Sequence, residues 1–454
     1  MTEDKRVRRL YTMDNLPVLR SIDSQTVDLI YLDPPFNSGK QWENPIGKDD
    51  KRPLASFKDI WELSDTHADE EYALSLAYPQ TIPLINASYE INGGSWKAYL
   101  IYMGARLAEM RRILKPTGSI YYHCDPVMSH GVKLLMDAIF GGGGKGGKSA
   151  SGNFIGEIVW NYGTPSGGRV SGKKPVKSHE LLLSYARKYG RHAYYPQFLP
   201  YNEKYVKDWF RHTDEDGRKY RTRSRGGEII RQYLDKSKGV PLSNVWTDIM
   251  QLYGSAGWFP RKKDERTGYP TQKPLALLER VIKASSKEGD LVLDPFCGCA
   301  TTCLAAERLK RQWIGIDLAE EAATLVRDRL QKEGEGLEII AYEVEHLDKL
   351  PKRTDLDGLR SDNAILKPRL YKLQGGKCLG CEKETRIELM DFDHIIAKSR
   401  GGQDIDENIQ LLCGNCNSIK GDRGMHYLWR QILERRTEEK MREYEERRRI
   451  RTAA

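Results

Sequence analysis

The stretch Thr26-Val-Asp-Leu-Ile-Tyr-Leu32 runs straight into Asp33-Pro34-Pro35-Phe36, and far downstream Asp290-Leu-Val-Leu293 runs into Asp294-Pro295-Phe296-Cys297-Gly298-Cys299-Ala300-Thr301-Thr302. Each is a short apolar run with β-branched residues, ended by an acid and a proline-containing turn. Such runs read as buried parallel strands whose carboxyl ends carry functional groups. Open α/β sheets bind ligands in the crevice outside those ends. The expected fold is therefore α/β, with a glycine-turn site beside an Asp-Pro-Pro-aromatic site.

The residues of both turns suit distinct chemistry. Asp33 and the carbonyl of Pro34 are two fixed hydrogen-bond acceptors at the end of the first strand. Pro34 and Pro35 stiffen the turn without adding competing N–H groups. Phe36 offers a flat face for stacking, worth about 1–3 kcal/mol per base. In the second turn, Phe296 starts a tight bend and Gly298 allows close backbone approach to a ligand. Asp317 ends the next apolar run, where a carboxylate can hold ribose hydroxyls.

These motifs resemble those of the amino-group DNA methyltransferases, in the permuted β class, where the target-base motif precedes the cofactor motif. Leu114-Lys-Pro-Thr-Gly-Ser-Ile-Tyr-Tyr-His-Cys-Asp125 and Tyr269-Pro-Thr-Gln-Lys-Pro-Leu275 extend the resemblance, which covers roughly residues 7–347. It implies a Rossmann-like S-adenosylmethionine-dependent methyltransferase sheet with an inserted DNA-recognition segment. It also implies methyl transfer to the amine of a flipped base, adenine-N6 first and cytosine-N4 as the alternative. Asp33, Pro34, Pro35 and Phe36 are then the catalytic set. Asp14, Lys273, Asp294, Phe296, Gly298, Thr301 and Asp317 are the cofactor set, with Asp14 toward the adenine. One departure stands out: Ala300 occupies a position that is usually Gly. A negative φ there would be harmless, whereas a positive one would weaken cofactor binding.

The chain has 454 residues, with 39% hydrophobic residues, 9 Trp and 24 Tyr, enough for two to three cores. It shows neither an eighteen-residue apolar run nor a signal-peptide start, so a soluble cytoplasmic protein away from membranes is expected, and the resemblance implies a bacterial or phage origin. The net charge of +9 is concentrated: residues 151–270 hold 22 Lys and Arg against 12 Asp and Glu. Interleaved with Tyr201, Tyr205, Trp209, Tyr220, Tyr233 and Trp258, that excess reads as a surface for double-stranded DNA. Arg221, Arg223 and Arg225 are the expected phosphate contacts. A homodimer is left open.

Organisation follows from the patterning. Residues 1–150 form the target-base part, 151–270 the recognition segment and 271–347 the cofactor part. Residues 37–95 read as an irregular loop over the site, and a helix is expected over 318–332. Gly142 to Ser149 matches phosphate-loop spacing, but it follows a helix rather than a strand, so it reads as a flexible glycine loop. Residues 348–363 read as a polar linker, 364–423 as a compact unit and 424–454 as a charged helix.

In the compact unit, Cys378-x-x-Cys381 and Cys413-x-x-Cys416 have the spacing of one structural Zn²⁺ site. The run from Asp391 to Gly421 also resembles the HNH nucleases, a ββα-metal fold. That likeness implies His394 as the base activating water and Asn408 as its orienter. Asp393 and Asn417 would then be ligands of a catalytic divalent ion, Mg²⁺ or another. Two other readings stay open: a restriction nuclease first, protecting its own site by methylation, or a zinc DNA-binding module that does not cut.

Overall fold

The computed structural model describes residues 6–43, 56–141, 152–163, 175–252, 265, 269, 271–318, 329, 345–347 and 349–453. Its centre is a nine-stranded sheet. In chain order the strands are β1 (Arg8–Thr12), β2 (Val27–Leu32), β3 (Leu114–Cys124), β4 (Phe154–Asn161), β5 (His179–Ala186), β6 (Val245–Trp246), β7 (Leu291–Asp294), β8 (Gln312–Asp317) and β9 (Glu345–Leu347). Their spatial order is β6-β4-β5-β3-β2-β7-β8-β1-β9. The run from β3 through β9 is parallel, and β5 lies antiparallel between β3 and β4.

The two motif strands are neighbours. β2 pairs with β7 through Leu29–Val292 and Ile30–Leu293, so Asp33 and Asp294 emerge side by side. Alternation puts Ile30 and Leu32 into one core, and Leu29 and Tyr31 into the other. The first core is capped by helices α1 (Asn15–Ser21), α2 (Asp65–Ala77), α3 (Thr81–Asn92), α4 (Gly94–Ile113) and α5 (Ser129–Phe140). The second is covered by α6 (Leu275–Ser285) and α7 (Thr301–Arg308).

Several readings of the sequence change here. Residues 37–95 are not one irregular loop, since a β-hairpin (Lys40–Glu43 with Ser56–Asp59) and α2 and α3 occupy most of the described part. α2 gives little amphipathic signal because it packs through polar groups as well as Leu74: Glu70 faces Arg106 and Asp69 faces Arg400. Three strands of the main sheet, β4, β5 and β6, come from residues 151–270. The residues between β5 and β6 carry the basic elements, among them a three-stranded sheet built on Lys219–Arg225 and Glu228–Tyr233. The expected helix over 318–332 and the glycine loop from 142 to 149 lie outside the described residues, apart from Leu318 and a helical Arg329.

The C-terminal unit is a β-hairpin, β10 (Met390–His394) with β11 (Ile409–Cys413), followed by α8 (Gly414–Lys420). Met390, Leu411, Leu412, Met425 and Leu428 form its core with Cys378 and Cys416. It is pressed against the first unit. Arg400 pairs with Asp69 at 2.9 Å, Tyr72 donates to Gln410 at 3.1 Å, and the Tyr72 and Trp429 rings meet edge to face. The polar stretch before it is docked too: Thr354 bonds Asp23, and Asp355 accepts from the Ser24 amide. None of the described helices is long and apolar enough to cross a membrane.

Candidate active site

The carboxyl ends of β2, β7 and β8 open into one cavity of about 540 Å³. Its lining brings together Asp14, Asp33, Pro34, Pro35, Phe36, Lys273, Asp294, Phe296, Gly298, Thr301 and Asp317, the whole expected set of the first unit.

Asp33 ends β2 with one oxygen paired and one not. Oδ2 lies 2.8 Å from Lys273 Nζ, while Oδ1 is buried with no hydrogen-bond donor among the described residues. An orphaned buried acceptor is costly and calls for an explanation. Phe36 packs at the rim of the first core, with Lys273 Nζ 5.4 Å from its ring centre. The backbone beyond the motif is held by Asp59, which accepts from the amides of Asn37 and Ser38 at 2.8 Å each and from the Trp61 indole. Asp59 lay unnoticed in the sequence because a lone acid in a polar stretch carries no pattern.

At the glycine turn, Asp317 accepts from the Gly298 amide at 2.8 Å. Gly298 has φ +49°, and a Cβ there would sit 3.2 Å from the Tyr269 ring. Ala300 stands at φ +56°, in the left-handed region that its methyl group disfavours. Cys297 and Cys303 are packing residues: a Cβ on Gly315 would meet their sulfurs at 3.1 and 3.0 Å. Burial pushes the Asp294 carboxyl up to about 7, against hydrogen bonds from Thr302 and the Phe296 amide. Asp14 caps α1 through the Leu16 amide and pairs with Arg106. Lys273, expected among the cofactor contacts, instead places its ammonium on Asp33, with Glu180 at 3.5 Å.

In the C-terminal unit the sulfurs of Cys378, Cys381, Cys413 and Cys416 lie within 4.8 Å of one another. Thiolates around tetrahedral zinc are about 3.8 Å apart at Zn–S bonds of about 2.3 Å, so this set fits a closed structural site. Asn408 accepts from the Ile396 amide and donates to the carbonyls of Ile396 and Gln403, pinning the segment after His394. His394 Nε2 lies 3.2 Å from Asp404, a partner the sequence reading missed. Asp393 fits the expected ion site poorly. It is 6% exposed, and its oxygens already accept from Lys420 at 3.0 Å and Gln410 at 2.7 Å. Asn417, on α8, is half-buried.

The basic segment corrects one expectation. Arg221 is 6% exposed and bonded to Gln232 and to the Tyr205 hydroxyl beneath the rings of Tyr201 and Phe210. It holds the three-stranded sheet together and does not face outward. Arg223 is exposed and lines a shallow pocket with Arg231 and Lys236; the Arg225 side chain and Trp258 lie outside what is described.

The crevice at the carboxyl ends of neighbouring parallel strands joins a glycine turn to an acid-and-aromatic turn, and the family comparison gives its class. Residues 27–328 match the DNA methylase family, two thirds of the chain, and the protein belongs to that family. Residues 378–423 match the HNH endonuclease family. Among curated relatives, the type II methyltransferase M2.DpnII of Streptococcus pneumoniae is 39% identical over 128 residues, 28% of this chain and 42% of that protein. M.HpaI of Haemophilus parainfluenzae is 25% identical across 73% of this chain and 77% of its own. M.ScaI of Streptomyces caespitosus is 26% identical across 72% and 83%. The protein is thus a DNA methylase with an HNH domain at its C-terminal side.

Proposed function

We propose that the chain methylates the exocyclic amine of a base flipped out of duplex DNA, adenine-N6 in preference to cytosine-N4, and that its HNH unit cuts DNA, the two acting together in restriction and modification in the cytoplasm. The observation that carries the methylation half is Asp33: one oxygen fixed by Lys273, the other buried and awaiting a donor. An amine entering the cavity supplies that donor. Pro34 offers its carbonyl as the second acceptor, and Phe36 stacks on the base, offsetting part of the few kcal/mol that flipping costs. Bound S-adenosylmethionine would supply an electrophilic methyl for the amine lone pair that Asp33 and the Pro34 carbonyl localise, with sulfur as the leaving group and water taking the amine proton. Asp317, Gly298, Phe296, Thr301, Asp294 and Asp14 are the residues to hold that cofactor.

In the second unit, His394 is the water-activating base, turned by Asp404 and steadied through Asn408; imidazole suits the task near neutral pH. Asp393 would serve a divalent ion with Asn417 only by releasing Lys420, which now bonds one of its oxygens. The four cysteines hold zinc. We assign residues 1–150 and 271–347, together with β4, β5 and β6 of the main sheet, to the methylase, the rest of 151–270 to recognition and 364–423 to the nuclease.

Sequencing the genomic DNA of an expressing host tests the first half, with N6-methyladenine at one recurrent site as the expected result. Asp33→Ala is expected to abolish that modification while calorimetry still registers S-adenosylmethionine binding. Loss of both together would take Asp33 out of the base site. Incubating unmodified plasmid with protein and divalent ions tests the second half. A wild-type enzyme that never cuts would leave the HNH unit as a DNA-binding module.

A further inference from the structure

Glu180 sits on β5, which runs antiparallel to β3 with Leu181 opposite Cys124. A strand that reverses direction in an otherwise parallel sheet delivers its first residues, not its last, to the edge where ligands bind. Glu180 therefore arrives beside Asp33 although it belongs to the segment expected from its charge to recognise DNA. Its Oε2 lies 3.5 Å from Lys273 Nζ and 3.0 Å from His123 Nε2, and the other His123 ring nitrogen is 2.7 Å from the Tyr31 hydroxyl. Lys177 approaches Oε1 at 3.4 Å from the outer side.

We propose that Glu180 is a positioning residue of methyl transfer, fixing Lys273 so that one Asp33 oxygen is tied down and the other is left to receive the amine. Lys273 alone has a long stem with three donors and several places to go. Two carboxylates on different strands, with Phe36 alongside, give its ammonium a single seat. The charges agree with this. Burial acts to lower the Lys273 pKa, but Asp33 and Glu180 outweigh it and hold the ammonium charged. Burial likewise works against the Glu180 carboxylate, and Lys273, with the His123 imidazole alongside, overcomes it. A misaimed acceptor costs far more in the transition state than in substrate binding, because the developing N–C bond depends on its direction. The proposal rests on the methylase reading above and adds to it a residue that touches neither base nor cofactor.

The test uses full-length protein, tritiated S-adenosylmethionine and bulk unmethylated genomic DNA. Wild-type transfer in that assay upholds the parent reading, whatever the variants do. Glu180→Gln is expected to lower kcat by roughly tenfold or more, leaving the DNA KM and the S-adenosylmethionine Kd within about threefold. Lys273→Met is expected to lower kcat as well, and the double variant to be no slower than Lys273→Met alone, since both act on one aim. Multiplied losses in the double variant overturn the proposal. So does a Glu180→Gln enzyme with a raised KM and an intact kcat, which would make Glu180 a DNA contact. Should Glu180→Gln lose its melting transition, Glu180→Asp keeps the charge and shortens the reach. A reduced kcat there supports the assignment, and a wild-type kcat rejects it.

Discussion

Ala300 and Asp294 each sit under stress, for different reasons. A left-handed backbone at a non-glycine residue costs about 1–2 kcal/mol, and Ala300 is there at φ +56°. A folded state that holds this turn throughout bears that cost on folding. Ala300→Gly is expected to raise stability by about 1 kcal/mol, read as a higher melting temperature, with the S-adenosylmethionine Kd little changed. A tightened Kd at unchanged stability would mean that the turn reshapes on binding. Asp294 is a carboxylate raised from 3.8 to about 7 by burial. Because its folded value lies above its unfolded one, the folded state holds the extra proton inside that window, and stability falls as pH rises through it. Asp294→Asn carries no such slope. The melting temperature of the variant relative to wild type should climb between about pH 4 and pH 7, and a flat difference would place the titration elsewhere.

At the level of elements, the apolar runs of β2 and β7 were readable because strands buried on both faces leave a continuous hydrophobic signature. Their adjacency followed from the shared motif pattern, and the cavity brings those residues together. α2 was not readable, since its face is fixed by Glu70, Asp69 and Tyr72 as well as by Leu74. Glu180, Asp59 and Asp404 escaped for a related reason: their neighbours arrive from distant parts of the chain, and nothing local marks them. Arg221 misled, because alternating arginines on one strand face look equally exposed until aromatic rings cover one end of that face. The ribbon's outward cations are Arg223, Arg231 and Lys236. Replacing these three is expected to weaken DNA binding and to reduce the log–log salt slope by about 0.9 for each phosphate that is no longer neutralised. An unaltered slope would remove the ribbon from the DNA interface.

For the molecule as a whole, the two chemistries should separate by mutation. His394→Ala is expected to stop strand cleavage and leave methylation intact, because it lies outside the cavity of the first unit. Cys378→Ser should act through folding. Its sulfur is wholly buried in the small core with Met390 and Leu411, and small zinc units draw much of their stability from the metal. Limited proteolysis is expected to trim the C-terminal unit from the Cys378 variant and to spare it in the His394 variant. Equal sparing of both would mean that the docked contacts with α2 hold the unit without zinc.

Those contacts have a geometric consequence. With Arg400 seated on Asp69 and Tyr72 wedged between Gln410 and Trp429, the second unit does not swing on a tether but rides on the first as a fixed jig. Any phosphodiester it reaches then lies at a set number of base pairs from the flipped nucleotide, so end-mapping of cut DNA should give one sharp offset, where a loosely leashed cutter would leave a smear.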